Sequence, residues 1–158
     1  DNIWHFRFLS RGRNTPLRIV DSKLTMSRVA SVGHWSEFFG DQAFYFCLTR
    51  KILMHDGTRA TAQMYIPGNL SNDLDKVDVS ELEMVNVRPF LEIYLNLKIN
   101  RHTTKVSVAT PNKDEMMDLG LLVQQPHYKI SAIAFTGAKT PVYYQRIFIS
   151  VVDCDLEF

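Results

Sequence analysis

Apolar and polar residues alternate over short stretches along most of this chain, the pattern of strands with one buried face. Residues 3–9 place Trp4, Phe6 and Phe8 on one side and His5 and Arg7 on the other, which predicts a first strand. Arg11-Gly12-Arg13-Asn14 and Pro16 carry turn chemistry, and 18–20 reads as a short second strand. The period then changes. Met26, Val29, Val32, Trp35 and Phe38/Phe39 recur at three- and four-residue steps. That spacing predicts a long helix, capped by Ser22 or Thr25 and stopped at Gly40, with Trp35, Phe38 and Phe39 as plain core.

Residues 43–53 are aromatic and apolar, which predicts a buried strand, and His55-Asp56-Gly57 a turn. Residues 58–66 alternate cleanly, with Ala60, Ala62, Met64 and Ile66 opposite Thr61, Gln63 and Tyr65. Residues 71–86 are polar and acidic and read as a surface loop with one helical turn. Residues 91–100 show the cleanest alternation, Leu91, Ile93, Leu95, Leu97 and Ile99 on one side, and predict a half-buried antiparallel strand. A short strand at 105–109 follows. Asn112 caps a short helix through Glu115, Met116, Met117 and Leu119, which Gly120 stops. Further strands are expected at 121–124, 129–135 and 142–152. These elements predict an α+β fold. Its mostly antiparallel twisted sheet packs against a long helix in the N-terminal half and a short one in the C-terminal half.

The length, 158 residues, suits a single domain over 1–158. Hydrophobic residues make up 46% and charged residues 22%, which argues against disorder. Eighteen Lys+Arg against seventeen Asp+Glu leave a net charge of +1, so the body is no polybasic nucleic-acid clamp. No apolar run approaches the roughly 20 residues of a membrane helix. The chain starts at Asp1 rather than Met, which suggests that an N-terminal tail is absent.

Chemistry finds little foothold. The five histidines show no HxxxH or HExxH spacing, and the two cysteines form no CxxC. Nucleophile-elbow, P-loop and dinucleotide signatures are missing. Cys47, between Phe46 and Leu48, reads as a buried, inert thiol. The expectation is a protein with no catalytic residue, metal or cofactor. Arg11, Arg13, Arg18 and Arg28, with Arg50 and Lys51 further on, could form an electrostatic contact with anionic partners, worth roughly 1 kcal/mol per basic group at an anionic membrane.

The sequence resembles the matrix proteins of rhabdoviruses, carried by a collinear series over roughly 3–135. The strand at 3–9 resembles the aromatic first strand of that fold. Residues 28–40 (Arg-Val-Ala-Ser-Val-Gly-His-Trp-Ser-Glu-Phe-Phe-Gly) resemble its first long helix, and 44–53 the strand that follows. Gln63-Met-Tyr-Ile-Pro67, the alternating 91–100 and Glu115-Met-Met-Asp-Leu-Gly-Leu-Leu-Val123 resemble later pieces. The tight turn at 55–57 replaces a longer loop, no PPxY or P[TS]AP motif occurs, and 138–158 adds an unmatched strand. These departures suggest a distant, plant-infecting branch.

The resemblance implies a non-enzymatic layer protein that self-associates, condenses the helical nucleocapsid and links it to the envelope for assembly and budding. Implied partners are other copies of the chain, viral nucleoprotein–RNA, envelope lipid and the glycoprotein tail. The implied location is the virion beneath the envelope, with host cytoplasm, membrane or nucleus during infection. Under that reading the acidic loop with Asp73, Asp75, Asp78, Glu81 and Glu83 meets a basic patch on a neighbouring copy. The alternatives are a jelly-roll-like viral capsid subunit and a viral movement or RNA-binding protein.

Overall fold

A computed structural model of the chain describes residues 6–158. The start of the first predicted strand, with Trp4 and His5, lies outside the described residues. In chain order the elements are β1 (Arg7–Ser10), β2 (Ile19–Val29), β3 (Tyr45–Met54), β4 (Arg59–Pro67), α1 (Val87–Tyr94), β5 (Arg101–Ala109), α2 (Lys113–Leu119), β6 (His127–Thr136), β7 (Thr140–Ser150) and β8 (Cys154–Glu157). Six strands form one antiparallel sheet in the order β2-β3-β4-β7-β6-β5, and β1 pairs with β8 in a separate ribbon.

Local chemistry accounts for much of this. The β3–β4 turn places Gly57 at φ +92°, and the Asp56 side chain accepts from the Thr58 amide at 2.9 Å. At α2, Asn112 accepts from the Glu115 amide, Glu115 reaches back to the Asn112 amide, and Gly120 ends the helix at φ +65°. The α2 and β6–β7 expectations hold, as do the strands at 43–53 and 58–66.

Other expectations are corrected. The long helix of the N-terminal half does not exist. Residues 19–29 form β2, and beyond it only Ser36–Phe38 makes a 3-10 turn. Ser22, Leu24, Met26 and Arg28 point to one side, paired opposite Ile52, Arg50, Leu48 and Phe46 of β3. A full ladder with β3 outweighs a weak helical preference, since tertiary pairing overrides propensity. Val32, a supposed stripe residue, is 79% exposed. Trp35, Phe38 and Phe39 are half-buried rather than deep core.

The strand expected at 91–100 is α1 and a loop. Asn86 caps the helix by accepting from the Arg88 amide at 2.9 Å, and Pro89 sits in the first turn, where a missing N–H costs nothing. Val87 and Leu91 are buried, while Ile93 is 83% exposed. Residues 121–124 form no strand. The fold is α+β and antiparallel as expected, but both helices are short and the sheet is larger.

The sheet carries cover on both faces. On one, Phe46, Leu48, Met64, Ile66 and Tyr143 meet Leu74, Val87 and Leu91 of the 68–99 crossover. The same face meets the β1–β8 ribbon, where Phe6, Phe8 and Leu156 pack on Ala62, Ile130 and Ile147. On the other, the 30–39 segment lays Trp35 and Phe38 on Tyr65 and Tyr144. Thr61 and Gln63 bond α2 there, through Leu119 O and Asp118.

Candidate functional site

The two covers on the first face do not meet. Between the ribbon and the 82–87 segment lies a cavity of about 480 Å³, within the roughly 300–1,000 Å³ range of small-molecule sites. Its floor is the strand alternation itself: Leu24, Leu48, Ile52, Ala62, Met64 and Ile147. The ribbon side adds Phe6, Phe8 and Leu17, and the opposite wall Met84, Val85 and Val87. Polar groups are few: Ser22, Arg50, Glu83, Asn86, Tyr143 and Gln145, with Arg7 at the ribbon.

Arg50 organises this wall. Its Nη1 donates to Ser22 Oγ at 2.9 Å and to the Glu83 carbonyl, and Nη2 to the carbonyls of Leu82 (3.2 Å) and Val85 (2.9 Å). Burial lowers its pKa, and the Glu83 carboxylate opposes this at a distance. Among the described residues, no carboxylate forms an ion pair with it; Glu83 lies 4.0 Å from Lys23 instead.

The second face carries a hydrogen-bonded chain. His34 Nε2 meets Tyr65 OH at 3.2 Å, and Tyr65 OH donates to Gln63 Oε1 at 3.0 Å. Arg146 donates to the same Gln63 oxygen from Nε (2.9 Å) and Nη2 (2.7 Å), and to Asp118 at 3.2 Å. Burial first, then the Arg146 charge, lowers the His34 pKa to about 4. Both thiols are buried and their pKa values raised by desolvation, that of Cys154 to about 12. Among the described residues, no cluster of three His, Cys, Asp or Glu side chains is placed to hold a metal ion. Among the described residues, no helix is long and apolar enough to cross a membrane.

The residues singled out from the sequence do not gather on one surface. Arg11 donates to the Val151 carbonyl and lies 3.9 Å from Asp155. Arg13 is exposed in the turn after β1, and Arg18 is bound through its backbone to His55. Arg28 pairs with Asp75 at 2.7 Å and lies over the Phe44 ring at 4.4 Å. Lys51 stands on the second face near Gly120. In the acidic segment, Asp73 accepts from Ser71 and Tyr94, and Asp78 from Ser80. Glu81 is exposed, and Glu83 faces the cavity wall. Arg28 and Asp75, each expected to meet a partner outside the chain, pair with one another within it.

No family model and no curated protein sequence matches the chain. Solved structures do. The ligand-binding domain of a regulator assigned to the GntR family, from Bordetella bronchiseptica, aligns with TM-score 0.77 and 13% identity, covering 100% of this chain and 98% of that one. A GntR-family transcriptional regulator from Bacillus cereus aligns at 0.68 and 16%, over 87% and 95%. PhnF from Mycobacterium smegmatis aligns at 0.68 and 13%, and this chain spans 61% of its length.

The fold is that of GntR-type ligand-binding domains. This overturns the matrix-protein reading. The alternation that carried the resemblance belongs to any antiparallel sheet, and its helical piece, 28–40, is the end of β2, a loop and a 3-10 turn. With it fall the capsid and movement-protein alternatives, the nucleoprotein–RNA, lipid and glycoprotein-tail partners, and the virion and infected-cell locations. Sequence reasoning found Arg50 but gave it an external partner. It missed Ser22, Leu24, Gln145 and Ile147 as cavity residues. The signal available was alternation on β3 and β4, which marks a buried face without saying which part of it lacks a cover.

Proposed function

We propose that this chain is the effector-binding domain of a transcriptional regulator, taking a small molecule into the cavity between the ribbon and the 82–87 segment. A DNA-binding segment outside this chain would answer to its occupancy. The observation that carries the reading is the cavity itself, apolar with a few convergent polar groups, on a fold shared with a GntR-type ligand-binding domain over its whole length. Binding rather than catalysis is favoured by the lining. Among the described residues it holds no histidine or cysteine, and its one carboxylate, Glu83, faces Lys23.

Thermal unfolding with a panel of metabolites tests this on the native chain and on Ala62→Phe, which places a ring in the cavity floor. A ligand at a hundred times its Kd stabilises by about 2.7 kcal/mol, or roughly 5–10 °C for a chain of this size. Cavity ligands raise the native midpoint and leave that of Ala62→Phe unmoved. If no compound separates the two proteins, the proposal fails.

A further inference from the structure

The cavity combines an apolar floor with a single cation that lacks a counter-ion in contact. Leu24, Leu48, Met64 and Ile147 offer no hydrogen bonds to hydroxyl groups, so a polyol laid across them would leave its own hydroxyls unpaired, at a cost. Arg7, the other lining cation, is already bound to Glu157. Arg50 is different. Its four Nη hydrogen bonds go to one hydroxyl and three backbone carbonyls, all neutral. These take up its four Nη hydrogens, leave Nε–H over, and bring no carboxylate into contact with the charge, which the Glu83 carboxylate reaches only at a distance. An anion supplies that contact through Nε–H, and a hydrogen bond to an ionised acceptor is roughly twice as strong as a neutral one.

We propose that the effector is a mostly apolar monocarboxylate, its carboxylate against Arg50 and its hydrocarbon body across Leu24, Leu48, Met64 and Ile147, rather than a sugar or a sugar phosphate. This rests on the cavity being a ligand site and adds the chemistry of the ligand. Ser22 and Asn86 stand on the Arg50 side of the cavity as secondary polar contacts.

Isothermal titration with three probes tests it: octanoate, its neutral counterpart octan-1-ol, and glucose 6-phosphate. Octanoate is expected to bind at least ten-fold more tightly than either of the others, and its binding to disappear in Ala62→Phe. In Arg50→Gln, octanoate affinity falls at least ten-fold while that for octan-1-ol stays within two-fold. Arg50 also ties down the 82–85 carbonyls, so a poorly folded Arg50→Gln leaves the three-probe comparison on the native chain to decide. Equal binding of octanoate and octan-1-ol, or tighter binding of glucose 6-phosphate lost in Ala62→Phe, overturns the inference and leaves the effector-binding reading standing. So does a cavity-dependent compound from the metabolite panel when octanoate does not bind. If neither the panel nor the three probes yields cavity-dependent binding, both fall.

Discussion

Replacing Asp118 by alanine should destabilise this protein more than replacing Arg146 by methionine, although the two residues are partners. The reason is their unequal burial: the Arg146 side chain is 4% exposed and that of Asp118 is 56% exposed. In Arg146→Met, Asp118 stays on the Gln63 amide with the rest of its carboxylate in water, and the Gln63 oxygen keeps the Tyr65 hydroxyl as donor. The methionine stem fills most of the same space over Phe148, whose ring lies 5.2 Å from the guanidinium. No buried group is orphaned, so the loss should stay near ~1 kcal/mol, because apolar replacement of a buried ion is often close to neutral. In Asp118→Ala the cation remains buried without its carboxylate, and the Gln63 amide loses its acceptor. Removing one partner of a fully buried pair costs about 3–5 kcal/mol. The exposure of Asp118 lets water take over part of its role, which brings the expected loss to about 2 kcal/mol. Urea unfolding at pH 7 with an unchanged slope measures both variants. In the double variant most of the Asp118→Ala loss should vanish, because the charge it strands is gone. A larger loss for Arg146→Met than for Asp118→Ala, or strict additivity in the double variant, would refute the reasoning.

Three further outcomes follow from the same geometry. Above pH 6.5 both folded and unfolded states hold a neutral His34; between pH 6.5 and about 4 the unfolded chain takes up a proton that the folded chain refuses, so stability falls as pH drops through that window. Partial exposure keeps this near ~1 kcal/mol, and His34→Gln should remove that share of the slope in unfolding experiments repeated across pH. Gly120→Ala should cost about 1–2 kcal/mol by urea unfolding, since alanine is strained at φ +65°, while the Lys51 ammonium that its Cβ would meet at 2.5 Å can swing away. Cys154, fully buried with a pKa raised to about 12, should react with a thiol reagent at pH 8 only as fast as the protein opens; labelling at the rate of a free thiol would contradict its placement.

Several elements were legible because their causes are local. The Asn112–Glu115 box and Gly120 lie within nine residues of one another, and their hydrogen bonds need no partner from elsewhere. The turn at 55–57 rests on Asp56, Gly57 and backbone bonds within 54–58. Residues 91–100 misled because Leu91 and Leu95 satisfy a period of two and an i,i+4 helical step equally well. The decision lay in the Asn86 cap and in Arg88, whose guanidinium bonds the Ile99 carbonyl at 2.8 Å and turns the chain back. Residues 19–29 misled for a related reason: their helical spacing was real, but a complete ladder with β3 was available to them.

The candidate site divides in the same way. The amino-acid order by itself determined an antiparallel α+β body, the apolar face of β4 with Ala60, Ala62, Met64 and Ile66, and the position of the short capped helix. Only the tertiary structure decided that part of that face lacks a cover, because the opening is what remains between a ribbon joining the two ends of the chain and a crossover from β4 to β5. It also decided the role of Arg50, whose acceptors Leu82, Glu83 and Val85 are more than thirty residues away. Periodicity records which side of a strand is apolar; what settles upon that side depends on contacts between distant segments, which no local pattern encodes.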